Sequence, residues 1–413
     1  VTDPRRLRIG ITPLSDSAPI VAAHELGLFG RHGLRVELSV EPSWANIRDK
    51  LAARVLDAAH ALAPMPLAAT LGVGPLQQPT VTALSLGLGG NAITVSRPLW
   101  RALEEADAAA LAAPATRGRA LARVVAARRA AGAPRLRLAT VFPLSMHAYE
   151  LRYWLAAFGV HPDRDVELCV VPPPRMVEQL EAGAVDGFCA GAPWSSVAAQ
   201  RGSGVALLSG HDVWQNAPEK VLAVNAAFAD ANGETHLALI RALLEAADWC
   251  DAPGNRAELA RMLAGRWVDA PEAALHDSLA ADGVHRFARF AASFPWRSHA
   301  AWIVTQMLRW GQLEKPLDVA AIAAFVYRSD LYREAAAALG VPCPAQDEKA
   351  EGIHDVRWRV ARQGGGTLEL GPDLFVDGRR FDPRDPAGYL AGFEIHALRV
   401  PLDELSAAQR GGR

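Results

Sequence analysis

Apolar and polar positions alternate along Leu7-Arg8-Ile9-Gly10-Ile11 and again along Leu34-Arg35-Val36-Glu37-Leu38. A two-residue period of this kind marks half-buried strands. Between them, Ile20 to Phe29 is apolar on one side at helical spacing and is expected to stop at Gly30 or Gly33. Ser15, Asp16 or Ser17 can cap that helix, and Pro19 suits its first turn. The pattern then repeats, with a helix over Trp44 to Arg54 and a short buried strand over Ala58 to Ala63. Two successive βα units argue for a mostly parallel α/β sheet.

Thr80 to Leu88 and Asn91 to Ser96 read as strands parted by Gly89-Gly90. Residues 97–134 are Ala/Arg-rich and helical, and Arg117, Arg119, Arg123, Arg128 and Arg129 would give them an exposed basic face. Further strands are predicted over Leu136–Val141, Val166–Val171, Val185–Ala190, Val205–Leu208 and Val221–Val224, with helices over Ser145–Phe158 and Arg175–Ala182. From about 235 to 340 the chain is helical, with Trp249, Trp267, Trp296, Trp302 and Trp310 supplying bulk. Asp377-Gly378 suits a type I′ turn, so Leu374–Val376 and Arg379–Phe381 predict a hairpin. Gly364-Gly365-Gly366 is a loop and not a phosphate cradle, because no Lys-Ser/Thr follows it.

The 413 residues suit two or three domains, and 50% hydrophobic content excludes disorder. A net charge of −2 leaves no basic excess for binding nucleic acid by counterion release. Cys169, Cys189, Cys250 and Cys343 are scattered, which supports neither a zinc site nor a disulfide framework. The stretch from Ala58 to Ser96 lacks Asp, Glu, Lys and Arg, but Pro64, Pro66, Pro75, Pro79 and Gly89-Gly90 break it, so no membrane insertion is expected. Before Leu7 stand Arg5 and Arg6 but no apolar leader, so the expected location is cytoplasmic, with the periplasm as the alternative if a leader is missing.

No G-x-S-x-G, H-E-x-x-H or Walker sequence occurs, and no enzyme is expected. Two positions carry the candidate chemistry. Behind a Ser145 cap, His147 is the second residue of a helix, beside free backbone N–H groups that favour anions. Lys220 is one of four lysines among 43 basic residues, placed where a strand enters the interior.

The ordered series Trp44–Leu51, Asp57–His60, Ala63–Pro66, Leu151–Ala157, Val171–Pro174, Asp186–Cys189 and Pro218–Lys220 resembles the nitrate-, nitrite- and bicarbonate-binding proteins of ABC transporters. The likeness spans about residues 7–400 and includes Phe381-Asp382-Pro383. It implies an α/β, two-lobed type II periplasmic-binding-protein fold with the ligand cleft at the hinge. Lobe one would hold residues 1–93 and 225–413, and lobe two residues 94–224. The resemblance implies a nitrate or nitrite site of Trp44, Asn91, His147 and Lys220, with Gly90 and Pro173 lining it. Nitrate-transporter members carry a glutamine where this chain has Asn91. Bicarbonate-binding cousins have an acidic residue at the lysine position and use calcium, so Lys220 implies nitrate or nitrite and no metal or cofactor.

Nitrate only accepts hydrogen bonds, so its site needs donors and a positive charge. Within the family, the missing leader favours a cytosolic nitrate/nitrite sensor acting on an antiterminator-type regulatory protein. The alternative is a periplasmic protein that delivers the anion to an ABC permease. The enzymes of this fold, thiamin-pyrimidine synthases, need clustered cysteines that are absent here.

Overall fold

The computed structural model describes residues 5–74, 77–280 and 285–411; Pro75, named above, lies outside them. Twelve strands occur among these residues. They are β1 (Arg5–Ile11), β2 (Leu34–Val40), β3 (Ala58–Leu62), β4 (Thr80–Leu88), β5 (Asn91–Ser96), β6 (Leu136–Thr140), β7 (Val166–Val170), β8 (Gly187–Gly191), β9 (Gly204–Ser209), β10 (Pro218–Asn225), β11 (Trp358–Ala361) and β12 (Thr367–Leu370).

Two five-stranded sheets result, ordered β2-β1-β3-β10-β4 and β7-β6-β8-β5-β9. In the first, β1 runs parallel to β2 and β3, while β10 is antiparallel to β3 and β4. In the second, β6 runs parallel to β7 and β8, while β5 is antiparallel to β8 and β9. Each sheet thus has one reversed strand, and in both cases it is the strand on which the chain arrives from the other sheet. The crossings fall between Leu88 and Asn91 and between Ser209 and Pro218. The strand expected over Val221–Val224 therefore belongs to the first sheet and does not close the second. Strands β3, β4, β8 and β10 are buried along their whole length, as helices on both faces of a parallel sheet require.

The helix expected over Ile20–Phe29 is two pieces, Ala18–Glu25 and Leu28–Arg31. Gly27, at φ 70°, breaks it before the glycines that were expected to end it. Residues 97–134 form two packed helices, Arg97–Asp107 and Arg117–Ala130. Arg119, Arg123 and Arg129 are exposed there, but Arg117 donates to the Leu207 carbonyl at 2.5 Å and Arg128 to that of Pro134 at 2.7 Å.

The helix Gly233–Asp251 covers the first sheet, packed on Ala18–Glu25 and Ser329–Leu339. The tail reaches the second unit as well. Phe375 stacks on Trp214 at 4.8 Å, and Tyr153 Oη donates to Asp377 at 2.9 Å. These aromatic anchors account for the missing hairpin at 374–381. Phe375 bridges to Trp214 and Phe381 to Glu351, so the two segments separate around the Asp377-Gly378 turn. The tail's hairpin is β11–β12, closed by the glycine run 364–366 at positive φ.

Candidate functional site

At the start of β10, Glu219 and Lys220 are adjacent. Neighbours on a regular strand point to opposite faces. Here the register with β4 shifts on both sides of Lys220, and an irregularity of that kind re-aims side chains. The Lys220 ammonium consequently reaches Glu219 Oε1 at 2.5 Å and Asp16 Oδ2 at 2.7 Å, with Lys220 only 1% exposed. It also lies 5.4 Å from the Trp44 ring, on the helix Trp44–Ala52 that Ser43 caps.

Asp16 sits in the 3-10 turn Ser15–Ser17 after β1 and caps no helix. Its other carboxylate oxygen is 3.1 Å from His60 Nε2, on β3. His60 Nδ1 accepts from the Thr12 backbone N–H at 3.3 Å, so the ring proton sits on Nε2, the nitrogen beside Asp16. Trp44 meets the His60 ring edge-on at 5.4 Å.

The second sheet supplies the facing groups. Ser145 caps the helix Met146–Ala157, accepting from the Ala148 N–H at 3.0 Å, and makes His147 its second residue. His147 Nε2 stands 3.4 Å from Glu219 Oε1. One turn on, Glu150 accepts from Asn91 Nδ2 at 3.0 Å. The same Asn91 nitrogen also donates to Glu219 Oε2, so one amide joins a carboxyl from each half of the molecule. A Cβ at Gly191 would lie 3.5 Å from both Asp16 Oδ2 and His147 Nε2, and one at Gly210 would lie 2.9 Å from Glu150 Oε2. Small residues thus bring backbone up to the cluster from β8 and from the end of β9. Gly90 is held at φ 104°, and an added Cβ would fall 2.2 Å from the His285 ring.

Burial sets the charges. It pushes the Asp16 carboxyl up, but the Lys220 ammonium and His60 outweigh this and hold it well below the carboxylate range. For Lys220 burial works downward, yet Asp16 and Glu219 together raise it. Burial lowers His147 far below the ordinary histidine value, with the Lys220 charge adding to the effect, so the ring is neutral. Burial, then repulsion from Glu219, pushes Glu150 well up, and burial raises Glu219 against the pull of Lys220. Thr12 Oγ1, Trp44 Nε1, Asn91 Oδ1 and both His147 ring nitrogens are buried and make no hydrogen bond within the protein. Buried polar atoms are normally satisfied, so several of them together mark a place built to receive something.

The chain as a whole is similar to known proteins. The model of the NMT1-like family matches residues 2–264. The chain is 32% identical over 416 residues to the nitrate/nitrite binding protein NrtA of Synechococcus elongatus, covering 95% of this chain and 87% of that one. The chain belongs to the NMT1-like family, among the homologues of NrtA. It is also 36% identical to the nitrate import ATP-binding protein NrtC of Synechocystis, over 94% of this chain but only 55% of that protein. Thus the chain spans about half the length of that relative. The crystal structure of the periplasmic nitrate-binding protein NrtA from Synechocystis superposes with a TM-score of 0.80 at 29% identity, covering 94% of this chain and 98% of that one. The fold is the two-lobed type II binding-protein fold of this family.

Of the residues expected from sequence, Trp44, Asn91, His147 and Lys220 converge in one buried cluster, with Gly90 beside Asn91 at its edge. Pro173 is buried in the 3-10 turn Pro173–Arg175 after β7 and makes none of the contacts that knit this cluster. The Lys220 ammonium does not stand free, as an anion-facing lysine was expected to, because two carboxylates already hold it. Sequence reading missed Asp16, His60, Glu150, Glu219 and His285 as members. The one signal for them was Glu219-Lys220 beside the apolar run Val221–Val224, two adjacent charges where a buried strand tolerates neither unpaired.

Proposed function

We propose that the chain binds nitrate or nitrite between two lobes, as the substrate-binding part of an ABC import system. The lobes meet at the two crossings: residues 5–88 and 218–411 form one, and 91–209 the other. The observation that carries the reading is the buried Lys220 ammonium among unpartnered donors from both lobes, Trp44 Nε1 and the His147 ring N–H. An ammonium has three protons, and Asp16 and Glu219 occupy two of them. The third, the indole N–H and the imidazole N–H suit a planar ion that only accepts. A buried ion of one charge needs an opposite charge nearby, and Lys220 supplies it.

The relatives described above are named as binding proteins and import components, which supports the transporter role over a cytosolic sensor with an antiterminator partner. No helix among the described residues is long and apolar enough to cross a membrane, so the lobes would reach an ABC permease as a surface partner. Competition between labelled nitrate and nitrite, bicarbonate or chloride in equilibrium dialysis tests the ligand. Displacement by nitrite alone fits this reading. Retention of bicarbonate in preference to nitrate would overturn it.

A further inference from the structure

At the end of the second sheet away from the Lys220 cluster, arginines gather without carboxylates to match them. β6 enters that sheet at Leu136 and leaves it at Thr140, from where the chain runs on to Ser145 and His147. Around its entry lies a hollow of about 500 Å³ lined by Arg128, Arg129, Arg135 and Arg164, with Asp165 among them. Asp165 accepts from the His161 backbone N–H at 2.7 Å and stands 3.7 Å from Arg129. The neighbouring Asp163 is taken by Arg152, at 2.7 and 3.0 Å.

Backbone carbonyls hold two of the other guanidiniums. Arg128 donates from Nε and Nη2 to the Pro134 carbonyl at 2.9 and 2.7 Å. Arg135 donates from Nη1 to the carbonyls of Asp163 and Arg164 at 3.5 and 3.3 Å. The Arg164 guanidinium has no hydrogen bond or ion pair among the described residues. A carbonyl orients a guanidinium without neutralising it, so Arg128, Arg135 and Arg164 stay charged with no carboxylate as partner. The surplus is local. The chain carries 43 basic and 45 acidic residues, and exposed arginines elsewhere sit beside a carboxylate, as Arg357 does with Glu369 and Arg399 with Glu314.

The hollow continues into a second one of about 470 Å³, and the two share Val125, Arg129 and Asp165. Here the walls are small and apolar, with Ala122, Ala126 and Ala130 on the helix Arg117–Ala130 and Gly159-Val160 after the helix Met146–Ala157. Residues four apart share a helix face, so the three alanines form one stripe. One groove thus joins an apolar half to an arginine half.

We propose that this groove docks an acidic, partly apolar peptide segment of a partner protein. Apolar side chains cover the alanine stripe. Carboxylates of the segment meet Arg128, Arg135 and Arg164, whose planar guanidiniums can each give a carboxylate two bonds. A small inorganic anion would use the arginine half alone and leave the stripe bare. Guanidiniums already oriented by carbonyls lose less freedom on binding, which favours the contact. The proposal does not rest on the nitrate reading, because the groove and the Lys220 cluster lie at opposite ends of β6.

Fluorescence anisotropy of the intact chain tests it with a short dye-labelled peptide, leucines at one end and glutamates at the other. Saturable binding is expected, weakening with added salt as charges are screened. The double variant Arg135→Glu/Arg164→Glu, which alters two exposed residues, turns two attractions into repulsions and should weaken binding by about tenfold or more. Ala126→Gln, at an exposed position on the stripe, should weaken it without any change of charge. No saturable binding, or equal affinity in the double variant, overturns the proposal. Equal binding of a peptide with lysine in place of glutamate removes the role of charge and also overturns it. If an all-glutamate peptide binds as well and Ala126→Gln changes nothing, the hollow takes anions of any kind, and the peptide assignment falls.

Discussion

Asp16 Oδ2 stands 2.7 Å from Lys220 Nζ, which ties the turn after β1 to β10 with both side chains sealed from solvent. Removing one member of a buried pair leaves the other charge uncompensated, at a typical cost of ~3–5 kcal/mol. Glu219 still holds Lys220, so Asp16→Asn is expected at the low end of that range. Since the folded state depresses the Asp16 value, its contribution is present above the ordinary carboxylate range, about pH 4, and is lost as pH falls toward the folded value. Denaturant unfolding should show the variant clearly weaker than the unaltered chain at neutral pH, with the gap narrowing in acid. A gap that is constant with pH would mean the pair contributes nothing through charge.

Trp44 offers its ring face to Lys220 and leaves its indole N–H without a protein partner. Trp44→Phe keeps an aromatic ring and deletes the N–H. Loss of one hydrogen bond to a charged acceptor should weaken nitrate binding by ~1.5–3 kcal/mol, or about 10–150-fold. Titration calorimetry of the variant measures this, and unchanged affinity would take the indole out of the site.

Gly90 joins the strands that cross between the sheets, at φ 104° against the His285 ring. Gly90→Ala meets both a left-handed backbone and a 2.2 Å approach to His285 Cε1. The backbone strain alone is of order 1–3 kcal/mol, and displacing a ring that is itself buried adds to it. Thermal melting should drop by several degrees, whereas the same change at exposed, open Gly254 should leave it nearly unmoved.

Away from the cluster, burial pushes the Glu351 carboxyl up to about 7, with Lys349 opposing and Asp373 reinforcing the shift. Its folded value exceeds its unfolded one, so the folded state holds the extra proton. Stability from this group is full below the ordinary glutamate value and is lost as pH rises to about 7. In Glu351→Gln this loss, on the order of 3 kcal/mol for a shift of that size, should disappear. Melting curves of both proteins between mildly acidic and neutral pH measure the difference.

Local pattern carried much of the fold. The alternation at Leu7–Ile11 and Leu34–Leu38 became β1 and β2, and Ser145 caps its helix as its residue type and position suggest. Legibility ended where a residue's role depends on distant chain. Asp16 reads as a helix cap because its partner lies 204 positions away in sequence, and local spacing holds no trace of Lys220. Glu150 looks like an ordinary polar residue of a helix, and only Asn91 on β5, Gly210 after β9 and Glu219 on β10, all distant in sequence, mark its position as part of the cluster. The Asp377-Gly378 turn exists, but Phe375 pairs with Trp214 and Phe381 with Glu351, so the segments around the turn do not pair with each other. The return of β10 to the first sheet is a matter of topology, and an apolar run of four residues fits either sheet.

The central claim is that Lys220 holds a small inorganic monoanion, and calorimetric titration of Lys220→Met with nitrate beside the unaltered chain tests it most directly. The unaltered chain should bind one nitrate saturably, and Lys220→Met, shown folded by circular dichroism, should lose ~3–5 kcal/mol, or about two to three and a half decades of affinity. Equal affinity in the two proteins, or no saturable binding by the unaltered chain, would contradict it.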